Sequence, residues 1–242
     1  MAIKLTIWNE FVHERRDDAV KALYSDGIHK VIGRYLEKNP DIEITYATLD
    51  QPEHGLTDQV LDNTDVLIWW GHCKQYMVHD EIVEKVFDRV LRGMGLIALH
   101  SARGSKIFKK LMGTSCALRT RRASEKERLW VVDPSHPIAE GLDPYFELVH
   151  EEMFGEWFDI PTPDAVVFIG WYKGGEVLRS GCCFNRGNGK IFFFQPGHET
   201  DPSFHNENVL KVIENAVKWC RPAKMLDSLK AIPCEPLEPL NP

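Results

Sequence analysis

Along the first 113 residues, short apolar runs alternate with stretches in which apolar residues recur every three or four positions. The runs at 4–8, Ile42–Thr48, 65–69 and Gly95–Leu99 read as strands. Those at 65–69 and 95–99 are almost unbroken, as strands buried on both faces are. Between them, Val20, Leu23, Ile28, Val31, Ile32 and Tyr35 predict one helix from about Asp18, stopped by Asn39-Pro40-Asp41. Thr57 caps a short helix. Ile82, Val83, Val86, Val90 and Leu91 predict another from His79 or Asp80 to Arg92. Ile107, Phe108, Leu111 and Met112 predict a further helix, closed by Gly113. Strands alternating with helices imply a parallel sheet with right-handed crossovers.

Beyond Gly113 the pattern changes. Short β-like runs at 116–121, 128–132, 146–150, 166–170, 176–184 and 190–195 follow one another, with hairpin turns read at 171–176 and 185–190. Antiparallel strands are therefore expected beside the parallel ones. A last helix is predicted over 206–219, with Val209, Val212, Ile213, Val217 and Trp219 inward. The segment after Arg221 is rich in proline and glutamate. Residues 1–221 thus read as one α/β domain and 222–242 as a Pro-rich tail.

Open parallel sheets place ligands at the carboxyl ends of their strands, and polar residues gather there in this sequence. Asn9, Glu10, His13 and Glu14 follow the first strand, Trp70, Gly71 and His72 the third, and His100 and Ser101 the fourth. His150, Glu151, Glu152 and Glu156 are read as following the 146–150 strand, and Gly197, His198 and Glu199 the 190–195 strand. In a parallel sheet His13, His72, His100 and His198 meet in one cleft. Imidazoles with nearby carboxylates suit Zn²⁺ or a similar ion, and equally suit acid–base chemistry on a polar substrate. His100, Ser101, Glu152, His198 and Glu199 are the candidate catalytic residues. Asn9, Trp70, Gly71 and Glu156 are candidate substrate contacts. His13, His72, His100 and His198 are candidate metal ligands. No nucleotide cofactor is expected.

Charge narrows the partners. The 242 residues carry a formal net charge of −7, which argues against nucleic acid or an anionic membrane surface. The one basic run, Arg119-Thr120-Arg121-Arg122, reads as a solvated strand edge. No charged leader or membrane-length apolar run is seen, and the six cysteines lack C-x-x-C spacing. Reduced thiols and a cytoplasmic location are expected. The partner is a small polar molecule, with homo-oligomerisation left open.

Five segments together resemble the ThuA-like (trehalose utilisation) family of the class I glutamine amidotransferase-like fold. They are Trp8-Asn9-Glu10-Phe11-Val12-His13-Glu14, Trp69-Trp70-Gly71-His72, Gly95-Leu96-Ile97-Ala98-Leu99-His100-Ser101, Glu151-Glu152-Met153-Phe154-Gly155-Glu156 and Pro196-Gly197-His198-Glu199-Thr200. The resemblance implies a flavodoxin-like three-layer sandwich and a role in sugar utilisation. Glutamine amidotransferases carry a nucleophilic cysteine where this chain has His100 followed by Ser101, so glutaminase activity is not expected. Three readings stand. In the first, the protein acts on a carbohydrate, trehalose or a related (keto) sugar, through a metal-dependent or acid–base His/Glu cleft. The second is a hydrolase using Ser101, His198 and Glu199. The third is a non-catalytic sugar-binding or assembly protein.

Overall fold

The computed structural model describes residues 2–240. Nine strands form one sheet: β1 (Ile3–Asn9), β2 (Ile42–Thr48), β3 (Val66–Trp70), β4 (Gly95–Leu99), β5 (Arg119–Val131), β6 (Tyr145–Gly155), β7 (Ala165–Tyr172), β8 (Val177–Arg186) and β9 (Gly189–Phe194). Their order is β2-β1-β3-β4-β9-β8-β7-β5-β6. The first five in that order run parallel, and the pairs from β9 to β6 are antiparallel. The helices are α1 (His13–Arg16), α2 (Asp18–Leu23), α3 (Ile28–Leu36), α4 (Asp58–Asp62), α5 (Asp80–Arg92), α6 (Lys106–Met112) and α7 (Glu207–Cys220).

Strand alternation explains the three layers. Val66, Ile68 and Trp70 of β3 point into one apolar layer with Val31, Ile32, Val212 and Ile213 of α3 and α7. Leu67 and Trp69 point into the other, with Val83, Val86 and Phe108 of α5 and α6. A strand covered on both faces has no polar side to show, which is why these runs are continuously apolar. The flavodoxin-like three-layer sandwich with an added antiparallel half is the observed architecture.

Three expectations about elements need correction. The single helix from Asp18 to Tyr35 is two helices, α2 and α3, preceded by the one-turn α1. Gly27 breaks it: its φ of +97° is left-handed, and a Cβ there would lie 2.5 Å from the His29 ring. The runs at 116–121 and 128–132 belong to one long strand, β5, which starts at Arg119 and leaves Cys116 outside. Strand β6 continues to Gly155, so His150, Glu151 and Glu152 lie within it rather than after it. Both strands carry register shifts around Glu125, and such irregularities bend a ribbon and reset which side chains face inward.

The segment after α7 returns across the amino edge of the sheet. The Leu226 backbone N–H donates to Arg92 O (2.9 Å), Arg92 Nε donates to Leu226 O (2.6 Å), and Met225 packs on the α5/α6 layer. Further on, Ile232, Leu237 and Leu240 are exposed. Ending the chain after Asp227 should therefore leave the melting temperature within about 1 °C of the full chain. Ending it after Arg221 removes the two hydrogen bonds and the Met225 contact, and should cost about 1–3 kcal/mol, or several degrees, in a thermal melt.

Candidate functional site

Strand pairing brings the relevant loops together. Asn9 lies beside Trp70, Trp70 beside Leu99, and Leu99 beside Phe194, so β1, β3, β4 and β9 end side by side. The residues just beyond those ends form one histidine cluster. Ring centres are 5.1 Å apart for His13 and His72, and 5.4 Å for both His72–His198 and His100–His198.

His100 is the first residue after β4 and is fully buried with φ +52°, a left-handed conformation that costs a non-glycine residue about 1–3 kcal/mol. Its Nδ1 lies 2.8 Å from Gln195 O, so Nδ1–H donates there, and Nε2 faces Glu152 Oε2 at 3.2 Å. Burial alone would lower the His100 pKa. The Glu152 hydrogen bond and the Glu151 and Glu152 charges outweigh it and raise the value. Burial would raise the Glu152 carboxyl, but His100, His198 and Arg122 bring it down to about 2. His198 Nε2 lies 3.7 Å from both Glu152 Oε2 and Glu199 Oε2. Burial, joined by the His100 charge, lowers the His198 pKa to about 4 and keeps that ring neutral.

Glu151 and Glu152 point to opposite faces of β6 and do different work. Glu151 accepts from the N–H of Gly197 (2.9 Å) and His198 (3.3 Å) and from Ser203 Oγ (2.6 Å), tying the β9 loop to β6. Gly197 permits this approach, because its φ is +131° and a Cβ would lie 2.4 Å from the Phe204 ring. Glu151 thus positions His198 without facing the cluster.

A second group adjoins the first. His72 Nδ1 lies 3.0 Å from Glu199 Oε1, His13 Nε2 lies 3.5 Å from the same oxygen, and the two nitrogens are 3.2 Å apart. Burial would raise the Glu199 carboxyl, yet the His72 hydrogen bond and the His198, His72 and His13 charges hold it near 2. Glu10 sets the His72 loop. Its Oε2 accepts from His72 N–H (2.9 Å) and its Oε1 from Cys73 N–H (3.0 Å) and Sγ (3.1 Å). Burial and Glu10 push the Cys73 thiol up to about 12, so it carries no thiolate at neutral pH. Among the described residues, His198 Nε2 and Glu199 Oε2 of the cluster are buried without a hydrogen-bond partner, as are Gln195 Oε1, Gln75 Oε1 and Arg103 Nε beside it.

The remaining candidates have structural partners. Asn9 is buried, with its amide donating to Glu14 Oε1 (2.7 Å) and to His29 Nδ1 (2.8 Å). Trp70 is fully buried, and its Nε1–H donates to Gly197 O. A Cβ on Gly71 would press within 3.1 Å of Gln75, so Gly71 admits a neighbouring side chain. Glu156 is paired with Arg179 Nε at 2.8 Å and is not brought to the cluster. Ser101 lies at the cluster's edge, and among the described residues no hydrogen bond joins it to His198, whose Nδ1 meets Thr200 Oγ1 at 2.8 Å.

The profile of the ThuA family, described as trehalose utilisation, matches residues 4–220. The chain belongs to the ThuA family. Solved structures share the fold of this ThuA-family chain at low identity. A ThuA-like protein from Parabacteroides merdae is 14% identical with a TM-score of 0.69, covering 93% of each chain. A cytoplasmic protein of Salmonella typhimurium is 13% identical, covering 91% of this chain and 99% of its own, at 0.60. A glutamine amidotransferase from Thermotoga maritima is 15% identical, covering 91% and 98%, at 0.54. No curated protein matches the sequence. Among the described residues no helix is long and apolar enough to cross a membrane.

A cleft of about 410 Å³ opens onto the cluster, lined by His72, Ser101, Arg103, Arg122, Glu152 and Phe154 among others. A larger cavity of about 780 Å³ lies at the opposite edge, beside Gly93 and Trp219, away from the histidines. The arginines escaped the sequence reading. Arg122, in the supposed solvated edge, reaches His72 Nε2 at 3.2 Å and Glu152 Oε1 at 3.4 Å. Arg121, its neighbour, instead pairs with Glu176 and Glu125. The single signal for Arg122 was its place in the one basic run. Thr200 and Gln195, which orient the two rings, carried none.

His29 supports the site from below, and it titrates with folding. Burial, with the Lys30 and Arg15 charges, lowers its pKa to about 4, against about 6.5 in an unfolded chain. The unfolded state therefore takes up the extra proton, so this contribution is complete above pH 6.5 and disappears as pH falls toward 4. Urea unfolding across that range should show wild type losing about 1–3 kcal/mol more than His29→Gln. Parallel loss in the two proteins would contradict the burial argument.

Proposed function

We propose that this ThuA-family chain is a divalent-metal-dependent enzyme of sugar utilisation, acting on a hydroxyl-rich, sugar-sized molecule such as trehalose or its keto derivative. His100 Nε2, Glu152 Oε2 and His198 Nε2 would hold the ion, with Zn²⁺ the natural candidate for a His₂Glu set that leaves a coordination position open. The observation that carries this reading is the pair of buried, unpartnered atoms, His198 Nε2 and Glu199 Oε2, in a site where burial without a partner is costly.

The ring environments fit ligation. His100 Nδ1–H is committed to Gln195 O, which fixes the ring with Nε2 toward Glu152, as outer partners of metal-bound imidazoles do; an ion would take the place of the proton that Nε2 now shares with Glu152 Oε2. Nδ1 of His198 accepts from the Thr200 backbone N–H (3.2 Å) and meets Thr200 Oγ1 (2.8 Å), which holds the ring with Nε2 toward Glu152 and Glu199; an ion there would take the place of the Nε2 proton. When bound, such an ion polarises a substrate carbonyl or hydroxyl oxygen. Around it, Arg103 and Arg122 at the cleft supply donors for sugar oxygens or an oxyanion, and the Phe154 ring offers an apolar face. The family's description, trehalose utilisation, supports a sugar as substrate.

The hydrolase reading is disfavoured by the missing Ser101–His198 bond and by Nδ1 of His198 facing Thr200 instead. Metal content and Zn²⁺ titration of wild type, His100→Ala, His198→Ala and the double variant test the proposal. Wild type should retain ion tightly at the inner set, and each single variant should lose at least tenfold in affinity there. The double variant should be scarcely worse than either single, because ligands of one ion fail together. Turnover of trehalose or keto-trehalose should follow metal content. Undiminished turnover in metal-stripped protein, or no Zn²⁺ affinity in wild type, would overturn the reading.

A further inference from the structure

The four histidines anticipated as ligands of one ion do not converge on one point. They divide between two sets of three atoms, His100–Glu152–His198 and His13–His72–Glu199, each with its atoms within 4.8 Å of one another; His13 is also shared with a third such set, Glu10–His13–Cys73. We infer that the centre is dinuclear: a second divalent cation sits among His13 Nε2, His72 Nδ1 and Glu199 Oε1, and Glu199 bridges it to the inner ion. This deepens the proposed function and rests on it.

The outer triangle has the dimensions of a coordination face. Its edges are 3.0, 3.2 and 3.5 Å. In a tetrahedral site with bonds of about 2.0–2.1 Å, ligand atoms stand about 3.3 Å apart. Hydrogen bonding serves this triangle incompletely, because the His72 Nδ1–H that donates to Glu199 Oε1 leaves the 3.2 Å approach of His13 Nε2 to Nδ1 without a proton between them. An ion accepts all three lone pairs together. The set is also neutral-plus-carboxylate in type, the combination that borderline metals favour.

Glu199 is placed to bridge. Its Oε1 faces His72 and His13, while its Oε2 faces His198 Nε2 at 3.7 Å and has no hydrogen-bond partner. The Glu199 side chain is only 4% exposed, so water does not satisfy that oxygen freely. Carboxylates with one oxygen on each ion are suited to two-metal sites, whose ions lie about 3.5–4 Å apart. Glu10 holds the His72 loop rigid from behind and is saturated by the donors of His72 and Cys73. It therefore supports the outer set rather than joining it.

Arg122 must respond to loading. It now lies 3.2 Å from His72 Nε2, a geometry that leaves the ring proton on Nδ1. Ligation at Nδ1 moves that proton to Nε2 and releases Arg122, whose side chain is 64% exposed, toward Glu152 and the cleft. Loading the outer position thus frees a guanidinium for substrate oxygens. The chemistry that fits two adjacent ions and a freed guanidinium is a substrate with neighbouring oxygens, as in a vicinal diol or an α-hydroxy ketone of a sugar.

The test is Zn²⁺ stoichiometry on the full-length protein by calorimetry and elemental analysis. Wild type should take two ions. His13→Ala/His72→Ala should take one, and that remaining ion should disappear when His100→Ala is added. One ion in wild type, unaffected by His13→Ala/His72→Ala, would overturn the dinuclear centre and leave the inner metal intact. No ion at all would overturn both. Should the double variant fail to fold, judged by circular dichroism, wild type loaded with Mn²⁺ decides the matter by electron paramagnetic resonance. An exchange-coupled pair signal supports the bridge, and an isolated six-line Mn²⁺ spectrum at saturation overturns it.

Discussion

His100 is held at both ring nitrogens, and the site depends on that clamp. One nitrogen is tied to the carbonyl of Gln195 at the end of β9, the other faces Glu152 on β6. The imidazole thereby links the parallel half of the sheet to β6 at the far edge of the antiparallel half. Its backbone is left-handed (φ +52°), a conformation that glycine adopts far more readily than histidine. Strain of that kind persists only when surrounding contacts over-determine it. Here the stacked Phe154 ring, 4.6 Å away, and the two hydrogen bonds supply those contacts.

The fold was legible wherever the chain is buried on both faces. Strands β3 and β4 are apolar throughout, and α5 between them repeats at helical spacing, so pattern alone located their ends and hence His72 and His100. The β5–β6 ribbon was less legible for the opposite reason. Strand β5 is largely exposed and charged, with register shifts that break alternation. Nothing local reveals that it is one strand or that β6 runs on through Glu151 and Glu152. The candidate Glu156 fell just past the true strand end and was taken up by Arg179.

Proximity of His13, His72, His100 and His198 followed from topology, since ends of neighbouring parallel strands must lie together. Their partition followed from nothing local. It depends on Glu10 turning the 71–73 loop, Glu151 anchoring the 197–198 backbone, and Thr200 facing His198. These partners are ordinary polar residues in sequence and acquire meaning only through burial. Arg122 was hidden in a basic run that looked solvated, and it lies where the His72 and Glu152 groups meet.

Where the resemblance to glutamine amidotransferases places a nucleophilic cysteine, this chain has His100 at the end of β4, with Glu152 facing its ring. On the proposed reading, that exchange replaces covalent thiol chemistry with a site for a cation. The most direct check is anomalous diffraction at the zinc edge from crystals grown with Zn²⁺. The account predicts a peak about 2.0–2.2 Å from His100 Nε2, Glu152 Oε2 and His198 Nε2. A fully refined map with no anomalous density among those three atoms would contradict it.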